Sequence, residues 1–196
     1  MKLQPNPFYR RVRHIVREHP WKSWSGVVFR SVPLEFANPE RILDGLGAMK
    51  SGGRWNPPGS IPALYCSLNP GTAAEESMRL FETAGLKRAT VKPRLIVAVR
   101  YRLKAVVDLA ELVDAIHGVD LSDLMAEEWQ EINAQGRETM GQALGRALFH
   151  AAVEGFRAPS ARVPDAINLV SFPGNLRRTS RQQVLEETEL KTWLKQ

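Results

Sequence analysis

The runs Gly52-Gly53-Arg54-Trp55-Asn56-Pro57-Pro58-Gly59, Pro62-Ala63-Leu64-Tyr65-Cys66-Ser67 and Asn69-Pro70-Gly71-Thr72-Ala73-Ala74-Glu75-Glu76 lie within 25 residues of one another. They read as a loop, a short apolar strand and, after a turn at Asn69-Pro70-Gly71, a helix opening at Thr72. Glycine lets the loop backbone approach a ligand closely, and Pro57-Pro58 stiffens the chain after the arginine. Arg54 then presents a rigid fork of donors suited to a pyrophosphate, or pairs with a surface carboxylate. Tyr65 faces away from Leu64 and Cys66 on a pleated strand. It either packs in a core, stacks on a flat heterocycle or bonds through its hydroxyl. Thr72-x-x-Glu75 fits a capping box, which gives Glu75 a structural task. Glu76 is expected in the same first turn, where the helix N-terminus favours its ionised form. There a carboxylate can hold a sugar hydroxyl and offset positive charge growing on the ring.

Working outward, residues 6–20 read as a short basic helix with Tyr9, Val12, Ile15 and Val16 as its apolar stripe, ended by Pro20. Val27–Val32 is a β-rich run stopped by Pro33, and 39–49 suggests one short helix. The helix from Thr72 extends to about Ala84, with Gly85 as its C-cap. Leu95–Val99 is the clearest buried strand. Helical stretches follow at about 108–117 and 121–134, then a helix capped by Thr139 and running toward Gly155. Ile167–Phe172 is a late strand, and 181–195 is open between helix and strand. No repeat or long linker divides the chain. The fold class is α+β, in a single domain.

The chain has 196 residues, 43% of them apolar, and a net charge of +6 from 27 Lys+Arg against 21 Asp+Glu. No apolar run approaches the roughly 18 residues of a membrane helix. Met1–Pro7 carries no apolar stretch of a secretory signal. The single cysteine, Cys66, precludes an intramolecular disulfide. A reduced, cytoplasmic setting is expected, with no membrane partner. The clusters Arg10-Arg11-Val12-Arg13 and Arg177-Arg178 are either solvated surface or a footprint for an anionic partner. No helix-turn-helix, zinc or RNP signature accompanies them, so direct nucleic-acid binding is not expected. His14, His19, His117 and His150 show no metal spacing, and no metal site is expected. There is no G-x-G-x-x-G after a strand. Ser160, between Arg157 and Arg162, has no His/Asp partner in sequence and reads as a hydroxyl donor to a ligand or as a turn residue.

Five ordered pieces carry a family resemblance: Phe29-Arg30; Gly53-Arg54-Trp55-Asn56-x-x-Gly59; Ala63-Leu64-Tyr65-x-Ser67; Thr72-Ala73-x-x-Glu76; and Gly155-Phe156-Arg157-x-Pro159-Ser160-Ala161-Arg162 followed by Asn168-Leu169-Val170. Together the chain resembles the RES-domain family, the toxin half of Xre/RES toxin–antitoxin pairs, over roughly residues 25–175. The resemblance implies an ADP-ribosyltransferase-like split, mixed β-sheet core flanked by helices. Residues 1–24 would be a basic helical extension and 25–196 the RES-type catalytic domain, in one compact unit. It implies Arg30, Glu76 and Ser160 as catalytic residues, with Ser171 a rival for the serine. It also implies Arg54, Tyr65, Trp55 and Asn56 as residues binding NAD+ or phosphate.

The implied activity is NAD+ degradation at the nicotinamide–ribose bond by phosphorolysis or hydrolysis, with NAD+ as substrate and no cofactor. The implied partners are inorganic phosphate, an Xre-type antitoxin and, by family analogy, a second copy of the chain. Two other functions compete with this one. The first is an ADP-ribosyltransferase acting on a protein or nucleic acid, although Ala74 stands where a Glu-x-Glu pattern needs its first acid. The second is a non-catalytic basic binding module.

Overall fold

The computed structural model describes residues 3–83 and 93–186. Its frame is a six-stranded mixed sheet: β1 (Lys22–Pro33), β2 (Leu64–Ser67), β3 (Arg94–Asp108), β4 (Gly155–Pro159), β5 (Ile167–Ser171) and β6 (Arg181–Val184). The order is β1-β2-β5-β4-β3-β6, with β1 and β3 also paired, so the sheet curls back on itself. Among the described strands only β3 and β4 pair in parallel. A mixed sheet with flanking helices matches the expected fold class.

The pairing is uneven, and that unevenness makes a cleft. β1 pairs with β3 from Lys22↔Val106 to Pro33↔Arg94. It meets β2 only at Phe29↔Ser67. Beyond that point β1 and β2 separate, leaving backbone and side chains of both to face a common space. β3 holds the two halves together, carrying β1 along its length and β4 at Val106–Asp108.

Both faces of the sheet are covered. Neighbours on a strand point to opposite faces, and on β5 Leu169 packs with Val28, Leu64, Val99 and Leu103, while Val170 packs with Val12, Trp55, Leu144 and Phe156. The helix α1 (Phe8–Glu18) buries Phe8, Val12 and Val16 in the second of these cores, beside α8 (Met140–His150). Each such side chain contributes about 1.5–3 kcal/mol by leaving water.

Several expectations are corrected. The single helix at 39–49 is two, α2 (Pro39–Leu43) and α3 (Leu46–Ser51). Between them the Asp44 carboxylate accepts from the Leu46 amide at 2.8 Å and restarts the chain. The helix α4 (Pro70–Thr83) begins at Pro70, not Thr72. Asn69 Oδ1 accepts from the amides of Gly71 (2.8 Å) and Thr72 (3.4 Å), and Ala73 N bonds Asn69 O at 3.1 Å. Asn69 is therefore the cap and Pro70 the first helical residue, an arrangement that needs no amide from the proline. The Thr72–Glu75 capping box is not the cap of this helix.

The run Leu95–Val99, expected as a buried strand, buries only Val97 and Val99, leaves Ile96 exposed and is the start of a 15-residue strand. The alternation continues because Tyr101 and Leu103 are buried while Arg100, Arg102 and Lys104 are exposed. This strand reaches Asp108, whose side chain caps the shorter α5 (Leu109–Asp114). Residues 121–134 divide into α6 (Leu121–Ala126) and α7 (Trp129–Ala134). Thr139 caps α8 in a capping box with Gln142, but the helix stops at His150 and Gly155 opens β4. The expected C-cap at Gly85 and the tail beyond 186 lie outside the described residues.

Candidate active site

The split between β1 and β2 opens into a cavity of about 760 Å³. Its wall includes Arg30 from β1, Tyr65, Cys66 and Ser67 from β2, Glu76 from α4, Asn168 from β5 and the Gly52–Trp55 loop. Among the described residues its charged lining is Arg30, Arg41, Lys50, Arg54 and Arg94 against Asp44 and Glu76. A concave, apolar-floored site with that excess of cations suits an anionic ligand carrying a flat apolar part.

Glu76 is the seventh helical residue, a turn deeper than expected, so the helix N-terminus is not what holds it. Three donors converge on its Oε1: the Ser160 hydroxyl at 2.5 Å, Asn168 Nδ2 at 2.8 Å and the Ala161 amide at 3.1 Å. Oε2 has no hydrogen-bond partner among the described residues. One oxygen thus fixes the carboxylate and the other is left for a ligand. Ser160 is itself locked, because its Oγ accepts from the amides of Arg162 (3.1 Å) and Val163 (3.0 Å) just after β4. Asn168 is locked from the other side by the Ser67 hydroxyl, which donates to its Oδ1 at 2.6 Å. The rival Ser171 is wholly buried and shares a 3.0 Å hydrogen bond with Tyr101 Oη. Ser160, not Ser171, reaches the glutamate.

Arg30 shares the inner face of β1 with Val28 and Val32. Its Nη1 is buried without a hydrogen-bond partner. Its electrostatic neighbours include the Cys66 thiol and the Tyr101 phenol. Burial pushes the thiol up to about 11 and the phenol well above its ordinary value, against the pull of the Arg30 charge, so both stay neutral. A buried guanidinium N–H without a hydrogen-bond partner is a donor that an anion could satisfy.

The loop before β2 is organised differently. Gly53 and Asn56 exchange backbone hydrogen bonds (2.9 and 3.4 Å). Tyr65 Oη donates to Asn56 Oδ1 at 2.7 Å and accepts from the Trp55 amide at 3.1 Å. Burial raises this phenol's pKa, which keeps the proton on the donor. The hydroxyl is therefore engaged within the protein, and the ring is what Tyr65 offers the cavity. Asn56 is fully buried and donates to Ala48 O at 2.8 Å. It stands behind the cavity wall. The Trp55 indole is 3% exposed and meets Phe156 edge-on at 5.5 Å in the core. Arg54 lines the cavity, yet its Nη1 donates to the carbonyls of Leu124 (3.2 Å) and Glu127 (3.0 Å).

This loop lies directly on α8. A Cβ at Gly145 would come within 1.8 Å of Trp55 O, so only glycine admits the contact. Gln142, the capping-box residue, also donates to Gly53 O at 3.0 Å. Asn168, Ser67 and Arg94 are site residues that reading the sequence did not single out, although Ser67 and Asn168 stand in the quoted motifs.

A split mixed sheet, a carboxylate fixed through one oxygen and an arginine with a buried Nη1 on the wall of one cavity define an α+β protein with a cationic cleft. The chain belongs to the RES-domain family, whose family model matches residues 27–193. Relatives include the NAD(+) phosphorylase MbcT of Mycobacterium tuberculosis and of Mycobacterium bovis, each 30% identical over 128 residues. That match spans 61% of this chain and 61% of theirs. A chain in the crystal structure of the M. tuberculosis MbcT–MbcA toxin–antitoxin complex has a similar fold. Its TM-score is 0.66 at 20% identity, covering 97% of this chain and 99% of that one. Among the described residues no helix is long and apolar enough to cross a membrane.

Proposed function

We propose that this chain degrades NAD+ by breaking the nicotinamide–ribose bond, with inorganic phosphate or water as acceptor, as the toxin of a toxin–antitoxin pair. The observation that carries the reading is Glu76, fixed through one oxygen by three donors on the wall of a cationic cavity. Family membership and the printed activity of the MbcT relatives support it.

In this reaction the C1″–N bond breaks with its electron pair going to the nicotinamide nitrogen, which leaves neutral. Positive charge develops on the ribose ring, and an acceptor oxygen then bonds C1″. Phosphate yields ADP-ribose 1″-phosphate; water yields ADP-ribose and a proton. Because the leaving group is neutral, the site's tasks are orientation and stabilisation of the ring cation. Glu76 Oε2 meets the ribose hydroxyls and the developing charge. Arg30 takes a phosphate, and Arg54 adds fixed positive charge to the wall. Tyr65 presents its ring at the nicotinamide–ribose end. Ser160 and Asn168 act through Glu76 as positioning residues, and Trp55 and Asn56 hold the loop. The protein partner would be an Xre-type antitoxin.

The test is incubation of the purified protein with NAD+, with and without phosphate, followed by mass spectrometry. Phosphate-dependent ADP-ribose 1″-phosphate establishes a phosphorylase, and ADP-ribose under both conditions a glycohydrolase. Absence of nicotinamide release in both would overturn the proposal and direct attention to macromolecular acceptors.

A further inference from the structure

We infer that Trp129 is a stacking wall for a flat heterocycle in the cleft, carried on an elbow between α6 and α7 that Arg54 fastens in place. Trp129 opens α7 and lines the same cavity as Glu76. It is half-buried, yet it belongs to neither hydrophobic core. The protein uses its other half-buried tryptophans internally. Trp21 packs on one core and donates its indole N–H to Val16 O, and Trp24 packs on the other core. Among the described residues the Trp129 indole makes no hydrogen bond and no ring contact. A large aromatic ring at a cavity wall suits a planar ligand, because every heterocycle offers a π-face for stacking.

The elbow beneath the ring is held on three sides. Glu128, with φ −80° and ψ 74°, centres an inverse γ-turn in which the Trp129 amide donates to Glu127 O at 3.0 Å. Arg54 Nη1 donates to that same carbonyl at 3.0 Å and to Leu124 O at 3.2 Å. The Glu127 carboxylate accepts from the Met140 and Gly141 amides, each at 2.8 Å, which ties the elbow to the first turn of α8. The backbone that carries Trp129 is therefore ordered before a ligand arrives, which lowers the cost of binding. Arg54 is a positioning residue here, acting on Trp129 through Glu127 O.

The ligand chemistry is the flat heterocycle of a nucleotide; that it is adenine or nicotinamide rests on the NAD+ reading. Titration calorimetry of the whole chain with ADP-ribose, which carries adenine, and separately with nicotinamide tests the wall without turnover. Trp129→Ala is expected to weaken binding of at least one probe about tenfold, and Trp129→Phe to stay within about threefold of wild type. Melting temperatures should move by no more than a few degrees, because neither core loses a side chain. In steady state Trp129→Ala should raise KM for NAD+ about tenfold and leave kcat within about threefold. Arg54→Gln should weaken the same probe and add little in the Trp129→Ala background.

Loss confined to ADP-ribose identifies adenine as the stacked ring, and loss confined to nicotinamide identifies nicotinamide. Wild-type protein that binds neither probe, Trp129→Ala that binds both within twofold, or a loss that Trp129→Phe fails to restore overturns the wall. Additive losses from Arg54→Gln and Trp129→Ala overturn the fastening by Arg54. Trp129→Leu, which keeps bulk and loses the aromatic face, decides the matter if Trp129→Ala fails to fold. Probe binding that depends on Trp129 with no NAD+ cleavage overturns the proposed function and leaves the wall standing. NAD+ cleavage with a KM unmoved by Trp129→Ala overturns the wall alone.

Discussion

Two corners of one cavity use their polar atoms in opposite ways. At the Gly53–Asn56 corner most polar groups turn inward: Tyr65 Oη to Asn56 and Trp55, Asn56 to Ala48, Arg54 Nη1 to Leu124 and Glu127. At the Glu76 corner Ser160, Ala161 and Asn168 converge on one carboxylate oxygen and leave the other open. The first corner builds wall, and the second leaves a carboxylate oxygen facing the cavity. A motif residue on a cavity wall thus has a ligand role only through atoms the protein has not already engaged.

The largest effect should come from Glu76→Gln. It keeps the shape of the side chain but removes the charge that the proposed mechanism sets opposite the ribose cation, and the proposal expects NAD+ turnover to fall by about 10³-fold, roughly 4 kcal/mol of barrier. The melting temperature should stay within a few degrees, about what 1 kcal/mol moves. Full turnover in this variant would remove Glu76 from the mechanism. Asn56→Ala should do the reverse. It removes the acceptor of the buried Tyr65 hydroxyl and one of the two donors to Ala48 O, which keeps the Gly52 amide, lowering unfolding free energy by about 1–3 kcal/mol in urea titration. Lost turnover at unchanged stability would make Asn56 a ligand contact and erase the distinction between the corners.

Ser160→Ala falls between the two. Glu76 keeps two donors but loses the shortest, and turnover should drop about 10–30-fold, the loss appearing in kcat more than in KM. Ser160→Thr retains the hydroxyl and should recover most of it. A rise in KM alone would instead mean that the serine binds substrate directly.

The legibility of each corner follows from the range of its contacts. Arg54, Tyr65 and Glu76 stand within one loop–strand–helix unit, so residue type and spacing point to them. Whether their polar atoms are engaged depends on partners such as Asn168, 92 residues from Glu76, and Gln142, 89 from Gly53. Local pattern carries no such information, which is why Asn56 and Glu76 look alike in sequence. Two features of the fold are nonetheless local in the sequence. The alternation from Arg100 to Ala105 extends β3 in plain view, and Asn69-Pro70 is as good a helix start as Thr72. β4 has no such signal. Its five residues include glycine, arginine and proline, and they form a strand because β3 and β5 flank them.

Tyr65→Phe tests the wall corner more finely. Removing Oη leaves the Trp55 amide and Asn56 Oδ1 short of a partner, a loss of about 1–2 kcal/mol in stability. NAD+ turnover should stay within about threefold, because the ring remains. A collapse of turnover with unaltered stability would show that the hydroxyl touches substrate.

The smallest effect is expected at Cys66, which lines the cavity beside Arg30 yet is only 4% exposed. With its thiol pushed from an ordinary 9.0 up to about 11 by burial, almost none is thiolate at pH 8. Iodoacetamide should label the native chain far more slowly than the urea-unfolded one, with turnover unchanged over the same interval. The sign of the linkage follows from the raised value. The folded state holds this proton more tightly, so the stabilisation is intact below about pH 9 and is lost as pH rises toward about 11. Rapid labelling at pH 8 would mean that the Arg30 charge outweighs desolvation. Cys66 would then belong with Glu76 among the groups that face a ligand, and the boundary between the two corners would have to be redrawn through β2.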